Sequence, residues 1–150
     1  MDKYQLFIDG QFVDATSGET FETHDPGTGL PFASVARAGA ADAEAAIAAA
    51  RRAFDSGVWS GLTPAARMAK VQDFADQIAQ QGLRLAITES MDAGHIISLA
   101  KYWPLQCISF LRNLSLAATN QFPWQEEIPI SGNVFAPGRD YIRREPLGVC

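Results

Sequence analysis

The sequence predicts a mainly α-helical segment, with small antiparallel strands before the helices and an extended, turn-rich stretch after them. Three observations support this prediction. Short apolar runs flank turn residues before residue 30, and apolar residues recur at helical spacing between residues 42 and 118. Proline and glycine then become frequent beyond Asn120, where the helical pattern ends.

Composition limits the class of protein. The chain has 150 residues, of which 47% are hydrophobic and 19% charged, enough for one globular core. The formal charge of -5 argues against nucleic acid as a partner. No apolar run approaches the roughly 20 residues that cross a bilayer, so we expect no membrane partner and a cytoplasmic protein. The two cysteines form no CxxC pair and suit a reducing compartment.

The first 30 residues predict a hairpin and a further strand. Residues 6–8 and 11–13 are apolar runs on either side of Asp9-Gly10, a dipeptide typical of a tight hairpin turn. Residues 20–24 favour a strand, and the turn residues of 25–29 end it. Small antiparallel strands are therefore expected before the first helix.

Three helices are predicted next. The alanine-rich stretch 42–56 has acids early, arginines late and Gly57 just beyond its end. Thr63-Pro64 supplies an N-cap and a first-turn proline for a helix that runs to Gly82. A shorter helix is predicted over 83–91, ended by Gly94.

A longer helix is predicted from about residue 96 to 118. Its apolar stripe contains Trp103, Cys107, Leu111 and Leu114. Other apolar side chains lie off the stripe, so we expect burial on more than one side. Pro104 predicts a restart or kink near the beginning, because it cannot donate a backbone hydrogen bond.

The last ten residues predict a strand and then the start of a buried element. Residues 141–146 are charged and alternating, whereas residues 147–150 open an apolar run. An apolar edge with nothing to cover it is costly. We therefore expect this chain to be the front portion of something larger.

Several blocks, taken in order, closely resemble the aldehyde dehydrogenase superfamily. They are Leu6-Phe7-Ile8-Asp9-Gly10-Gln11-Phe12-Val13, Ser17-Gly18, Thr20-Phe21, Asp25-Pro26-Gly27-Thr28-Gly29, Ala48-Ala49-Ala50-Arg51, Phe54-Asp55, Trp59 and Arg143-Arg144-Glu145-Pro146-Leu147-Gly148-Val149. The resemblance implies an α/β parent fold and oxidation of an aldehyde to a carboxylic acid with NAD or NADP. It also implies a cysteine thiohemiacetal, hydride transfer to nicotinamide and hydrolysis of a thioester.

The resemblance also implies how this segment serves the parent. Residues 1–120 match the leading part of the cofactor-binding domain, 121–146 an oligomerisation hairpin, and 147–150 the start of the return strand into the truncated cofactor-binding domain. The family's catalytic and cofactor-binding groups come later, so none is assigned here. We expect the chain alone to be inactive and to bind no cofactor, and the parent to be a homo-oligomer, a dimer or tetramer. The alternative is a naturally short, non-catalytic interaction module from the same family.

One candidate metal site follows from the resemblance. Some family members hold a structural monovalent cation with two backbone carbonyls near the first strands and an acid after the third helix. The matching positions are Thr23, His24 and Asp92, where His24 would offer only its carbonyl. Oxygen ligands suit a hard cation. The alternative is that Asp92 caps local backbone and Thr23 is ordinary strand.

Other patterns are given structural interpretations. His95 lies near Asp92 and could suggest an acid and base pair, but a solvated helix start is the preferred interpretation. Gly27-Thr28-Gly29 lacks the third glycine and the following helix of a dinucleotide fingerprint, so it predicts a turn. Arg143, Arg144 and Glu145 are assigned to strand pairing and solubility rather than to an anion site. Gly94-His95-Ile96 departs from the family's Gly-Lys-Pro, which leaves the substrate open.

Overall fold

A computed structural model describes residues 1–128 and 140–150 of the chain. The elements follow in the order β1 (Asp2–Tyr4), β2 (Leu6–Ile8), β3 (Gln11–Val13), β4 (Thr20–His24), β5 (Pro31–Ala36), α1 (Ala40–Asp55), α2 (Pro64–Ala93), α3 (Ile97–Ala100), α4 (Tyr102–Asn120), β6 (Gln125–Ile128) and β7 (Asp140–Arg143). Within the described residues, no helix is long and apolar enough to cross a membrane.

The predicted N-terminal hairpin is confirmed. β2 and β3 pair antiparallel, with Leu6 opposite Val13. Both turn residues have positive φ, 54° at Asp9 and 78° at Gly10, as a two-residue hairpin turn of the primed type requires. Phe7 and Phe12 face each other across the strands with ring centroids 5.0 Å apart.

A three-stranded sheet has the order β1-β5-β4. β4 pairs antiparallel with β5, whereas β1 pairs parallel with it. The sequence did not reveal β1, because its three residues are all exposed and show no alternation of apolar and polar side chains. The register of β4 on β5 shifts between Thr23 and His24, which places a bulge at the end of β4.

α1 begins two residues before the predicted start. Gly39 is the N-cap, and its N–H donates to the carboxylate of Asp42 in the first turn at 2.8 Å. Ser56 ends the helix, and Gly57 follows with a φ of 69°. The glycine therefore occupies the left-handed position that the sequence predicted for it.

α2 is one continuous helix of 30 residues, so the predicted break at Gly82 is wrong. The Thr63 hydroxyl accepts a hydrogen bond from the Ala66 N–H, and Gly94 closes the helix with a φ of 73°. A Cβ atom at Gly82 would lie 3.8 Å from the Cβ of Pro104 on α4. Packing of the two helices at this point outweighs the weak helix propensity of glycine.

The predicted restart near Pro104 is confirmed, because α3 ends at Ala100 and α4 begins at Tyr102. Pro104 lies in the first turn of α4, where no intrahelical N–H bond is lost. The predicted apolar stripe is confirmed in part: Trp103 and Cys107 line the groove against α2 and Leu111 is half-buried, but Leu114 points outward. The face on α2 contains Pro104, Ile108, Leu111 and Ser115, while Leu114 is 61% exposed. α4 is thus covered on one side only among the described residues.

Small residues form the described core. Its buried apolar side chains are those of Ala15, Ala33, Ala36, Ala49, Ala75, Ala86 and Ala100. α2 packs against α4, and polar contacts hold these two helices together. Gln72 of α2 donates to the buried hydroxyl of Ser115, and Arg112 pairs with Asp76 at 2.6 Å. Most large apolar side chains remain exposed on the outer faces.

The C-terminal hairpin is confirmed by the antiparallel pairing of β6 with β7, in which Glu126 lies opposite Ile142. Part of the predicted turn-rich stretch, residues 129–139, lies outside the described residues. Residues 147–150 have no regular secondary structure, and Leu147 is 97% exposed. The return strand therefore stays a prediction for a longer chain.

Candidate functional site

The ends of β4 and α2 bring two of the three candidate cation ligands together. The Thr23 hydroxyl donates to Oδ1 of Asp92 at 2.8 Å, across 69 positions of sequence. Asp92 lies in the last turn of α2, just before the left-handed Gly94. A Cβ atom at Gly94 would come within 2.7 Å of Cγ of Pro26, so the close approach of these segments requires glycine.

His24 offers its backbone rather than its ring. It lies opposite Pro31 at the bulge, and proline has no N–H, so the His24 carbonyl receives no hydrogen bond from its pairing partner. Its ring Nε2 lies 4.0 Å from the carboxylate of Glu22 on the same strand. A carboxylate, a hydroxyl and nearby carbonyls are oxygen donors suited to a hard cation.

The described residues do not indicate a metal site built from several carboxylate and imidazole side chains. No group of three His, Cys, Asp or Glu side chains that could hold a metal occurs within the described residues. The candidate cation site therefore depends on its backbone carbonyls. Thr23, His24 and Asp92 are therefore taken up below as a proposal.

His95 has an acidic neighbour that the sequence analysis missed. Its Nδ1 lies 3.1 Å from Glu89, not beside Asp92, because the turn at Gly94 folds the chain back onto the last turns of α2. The Ser90 hydroxyl donates to the His95 carbonyl at 2.6 Å and so is engaged with backbone. The ring lies 6.0 Å from that of Trp103. These contacts join α2 to the start of α4.

A cleft of about 720 Å³ separates the C-terminal hairpin from the α1–α2 connection, and we call it the hairpin cleft. Its lining residues are Gly57, Trp59, Ser60, Gly61, Pro64, Arg67, Trp124, Gln125, Arg143, Arg144, Glu145 and Pro146. The sequence analysis did not find it, because its walls come from segments about 60 residues apart.

Ion pairs organise one side of the hairpin cleft. Arg144 pairs with Glu126 at 2.6 Å, and Arg143 lies 3.3 Å from Glu145. The N–H of Arg144 also donates to the carbonyl of Trp124 at 3.2 Å. The sequence analysis assigned these charged residues to strand pairing. The ion pair of Arg144 with Glu126, which joins the two arms of the hairpin, agrees with that interpretation.

A second, more apolar groove of about 560 Å³ runs between α2 and α4. Phe74, Ile78, Leu85, Trp103 and Cys107 are among its lining residues. Cys107 and Cys150 are both free and exposed thiols. A lone thiol in an apolar wall carries no catalytic assignment, in agreement with the sequence analysis.

Comparison with known proteins decides the family. A model of the aldehyde dehydrogenase family matches residues 12–150. This chain belongs to the aldehyde dehydrogenase family. An aminoacetaldehyde dehydrogenase of Pseudomonas aeruginosa is 42% identical, and the match covers 97% of this chain and 28% of that protein. Aldehyde dehydrogenase family 2 member C4 of Arabidopsis thaliana is 34% identical, with the same coverage.

A solved aldehyde dehydrogenase has the same fold over this segment. An indole-3-acetaldehyde dehydrogenase of P. syringae, in a complex that contains NAD+, matches with a TM-score of 0.79 and 36% identity. The match covers 85% of this chain and 26% of that one. The α/β parent fold and the membership in a family of NAD(P)-dependent oxidoreductases are thus confirmed.

The matches cover nearly all of this chain but only a small part of its relatives. The chain spans 28% of the length of both curated relatives named above and corresponds to their N-terminal part. The activity, substrates and partners of a whole aldehyde dehydrogenase are therefore matters of proposal for this chain.

Proposed function

We propose that this chain is the N-terminal part of an NAD(P)-dependent dehydrogenase that oxidises an aldehyde to a carboxylic acid through a cysteine thiohemiacetal. The observation that carries the proposal is the family match over residues 12–150. The cofactor in the P. syringae complex supports NAD as the first cofactor to test. The identity of the aldehyde is left open.

Within that enzyme, residues 1–120 would form the leading part of the cofactor-binding domain, and residues 147–150 would begin the strand that returns to it. Two features support this assignment. The described core consists of small side chains, and large apolar side chains remain available on the outer faces of the helices. Further chain could cover these faces, because burying apolar surface is favourable.

The activity test compares two proteins. We expect the product of the uninterrupted natural reading frame to reduce NAD+ with a panel of aldehydes, measured as the appearance of NADH. The 150-residue chain should show no turnover and no binding of NAD or NADP by calorimetry. Turnover by the short chain would contradict the proposal. A natural stop codon after Cys150, with a folded product, would favour the short interaction module instead.

We propose that residues 121–146 join subunits into a homo-oligomer. Support comes from β7, which pairs with β6 on one side and has exposed apolar side chains, with Tyr141 56% and Ile142 43% exposed. An exposed strand can extend a neighbouring sheet by main-chain pairing. The Ile142→Asp variant should therefore elute as a smaller species with light-scattering detection, whereas Leu30→Asp, at a position that is 66% exposed, should not. Equal masses for both variants and the wild type would contradict this interface.

We propose a monovalent cation held by the carbonyls of Thr23 and His24 and by the carboxylate of Asp92. Two observations support it. Thr23 contacts Asp92, and His24 lies opposite Pro31, which has no N–H to donate to the His24 carbonyl. Thermal melting in NaCl or KCl, against choline chloride at equal ionic strength, measures the effect. Asp92→Asn should lose the stabilisation by Na+ or K+, and the surface variant Asp76→Asn should keep it. Identical melting of the wild type in all three salts would contradict the site.

We also propose a cytoplasmic location, which the free thiols of Cys107 and Cys150 support because such compartments keep thiols reduced. Fractionation of the source cells, followed by immunoblotting, measures it. Recovery of the protein in a secreted fraction would contradict the proposal.

A further inference from the structure

Arg67 is the charge in the hairpin cleft that has no acidic partner. Arg143 and Arg144 each pair with a glutamate. Arg67 instead donates to the carbonyl of Leu62 and lies 5.0 Å from the centre of the Trp124 ring. Within the described residues, no carboxylate lies in ion-pair range of Arg67. Among the residues that the structure describes, the cleft therefore keeps one positive charge, that of Arg67, without an ion-pair partner.

The position of Arg67 strengthens its attraction for anions. It follows Pro64 by three residues and so lies at the N-terminal end of α2, where the helix dipole is positive. A guanidinium has five N–H donors in a planar fork, which matches the two oxygens of a carboxylate. Because the Leu62 carbonyl uses only part of this fork, donors remain for a ligand.

Two indole rings line the cleft beside this charge, and the face of Trp124 already carries the Arg67 guanidinium. Trp124 is fixed in place by its Nε1–H, which donates to the carbonyl of Ala118 at 2.8 Å. Trp59 comes from the α1–α2 connection, on the other segment that lines the cleft. Trp59 is 48% exposed, and an exposed aromatic ring favours a planar apolar group, because stacking adds to the area that is buried.

The α1–α2 connection, which carries Trp59, contains a tight turn. The Gly61 N–H donates to the Gly57 carbonyl at 2.8 Å, which closes a tight turn. A Cβ atom at Gly61 would lie only 2.8 Å from that carbonyl oxygen, and Gly57 has a φ of 69°. Two glycines thus fix a compact turn at the edge of the cleft.

We propose that the hairpin cleft binds a small aromatic carboxylate, with Arg67 holding the carboxylate, Trp124 positioning Arg67 and Trp59 packing beside the ligand ring. Its volume of about 720 Å³ is in the range of small-molecule sites. The proposal rests on the contacts within the cleft and is independent of the dehydrogenase function. It assigns no chemical step to the site, only binding.

The test uses the 150-residue chain labelled with 5-fluorotryptophan, titrated with benzoate and followed by fluorine NMR. The chain has three tryptophans, and Trp103 lies in the other groove, so it is an internal control. Benzoate should shift the signals of Trp59 and Trp124 to saturation and leave that of Trp103 unchanged. Benzyl alcohol, the neutral analogue, should bind at least about tenfold more weakly, because it lacks the charge that Arg67 recognises.

Variants identify the residues responsible. Arg67→Gln should weaken benzoate binding by about tenfold or more, whereas Arg84→Gln, which makes the same charge change elsewhere on α2, should leave it within about twofold. Trp59→Leu is a second variant that removes a wall without touching the bond to Leu62, and it should weaken binding severalfold. If Arg67→Gln fails to fold, Trp59→Leu decides the outcome.

Several results would overturn the proposal. They are the absence of any saturable shift with benzoate, equal affinity for benzyl alcohol, and unchanged affinity in Trp59→Leu. Equal competition by inorganic phosphate would also overturn it, since that would indicate an anion site without aromatic selectivity. A shift confined to Trp103 would place binding in the α2–α4 groove instead.

Discussion

Thr16 and Asp42 are joined by two hydrogen bonds to a single carboxylate oxygen. The backbone N–H of Thr16 donates to Oδ1 of Asp42 at 3.0 Å, and the Thr16 hydroxyl donates to the same atom at 2.5 Å. The other oxygen accepts from Gly39. This buried side chain therefore holds the N-terminal turn against the start of α1.

The stability contribution of Asp42 should depend on pH. Hydrogen bonds from Gly39 and then from Thr16 lower the pKa of its carboxyl below 3.8. A depressed folded-state pKa adds stability above the unfolded-state pKa, and that stability is lost as the pH falls through the folded-state value. Asp42→Asn should therefore lower the urea midpoint at neutral pH, and less so in acid once the pH has fallen through the lowered pKa of Asp42. Glu44→Gln, on the exposed face of the same helix, is the control; an equal loss at both pH values would contradict the prediction.

Replacing Gly82, within α2, and Gly94, which ends it, by alanine should change the stability of the protein in opposite directions. Gly82 lies within the helix, and an added Cβ would meet Pro104 at an ordinary contact distance of 3.8 Å. Gly82→Ala should thus raise the free energy of unfolding by about 0.5–1 kcal/mol. Gly94 has a φ of 73°, and an added Cβ would lie 2.7 Å from Cγ of Pro26. Gly94→Ala should cost about 1–2 kcal/mol or more.

Chemical denaturation of both glycine variants measures these changes. Opposite signs would confirm that Gly82 is an interior helical position and Gly94 a left-handed cap. A loss of stability in Gly82→Ala as large as that in Gly94→Ala would indicate that α2 does break at Gly82, as the sequence alone suggested.

The contact between α2 and α4 at Ser115 should tolerate no larger side chain. Ser115 is 2% exposed, accepts a hydrogen bond from Gln72 and donates one to the Arg112 carbonyl at 2.8 Å. Ser115→Leu would overpack this point and remove the partner of Gln72, so we expect a loss of about 2–4 kcal/mol. Ser109→Leu, on the exposed side of the same helix, should change stability by about 0.5 kcal/mol at most. Equal effects in thermal unfolding would contradict this packing.

Local sequence signals predicted much of the fold. Asp9-Gly10 predicted the first hairpin because few residue pairs adopt positive φ at both positions. Thr63-Pro64 and Gly94 predicted the two ends of α2 for similar reasons of capping and left-handed geometry. These signals act within one turn of the chain and are therefore visible in sequence.

Features that depend on tertiary contacts were less predictable. Gly82 predicted a helix break that does not occur, because the packing that accompanies the continuous helix at this point involves Pro104 on another helix. The apolar stripe of α4 was wrong at Leu114, which faces outward, and it omitted the buried Ser115, because a small polar residue gives no hydrophobic signal. The hydrogen bond from Thr23 to Asp92 was not predicted, since no local rule joins residues 69 positions apart. The hairpin cleft has no sequence signature for the same reason.

The outward face of α4 should accept charge while its inward face should not. Leu105, Phe110 and Leu114 are each at least 60% exposed, whereas Ile108 is half-buried against α2. Replacing the first three by lysine should leave the unfolding temperature of the 150-residue chain nearly unchanged and reduce its aggregation, because exposed apolar patches promote association. Ile108→Lys should cost several kcal/mol, since a charge placed against a helix interface loses hydration. Light scattering and thermal unfolding of the two variants measure both effects. A cooperative loss of structure in the triple variant would contradict the observed orientation of α4.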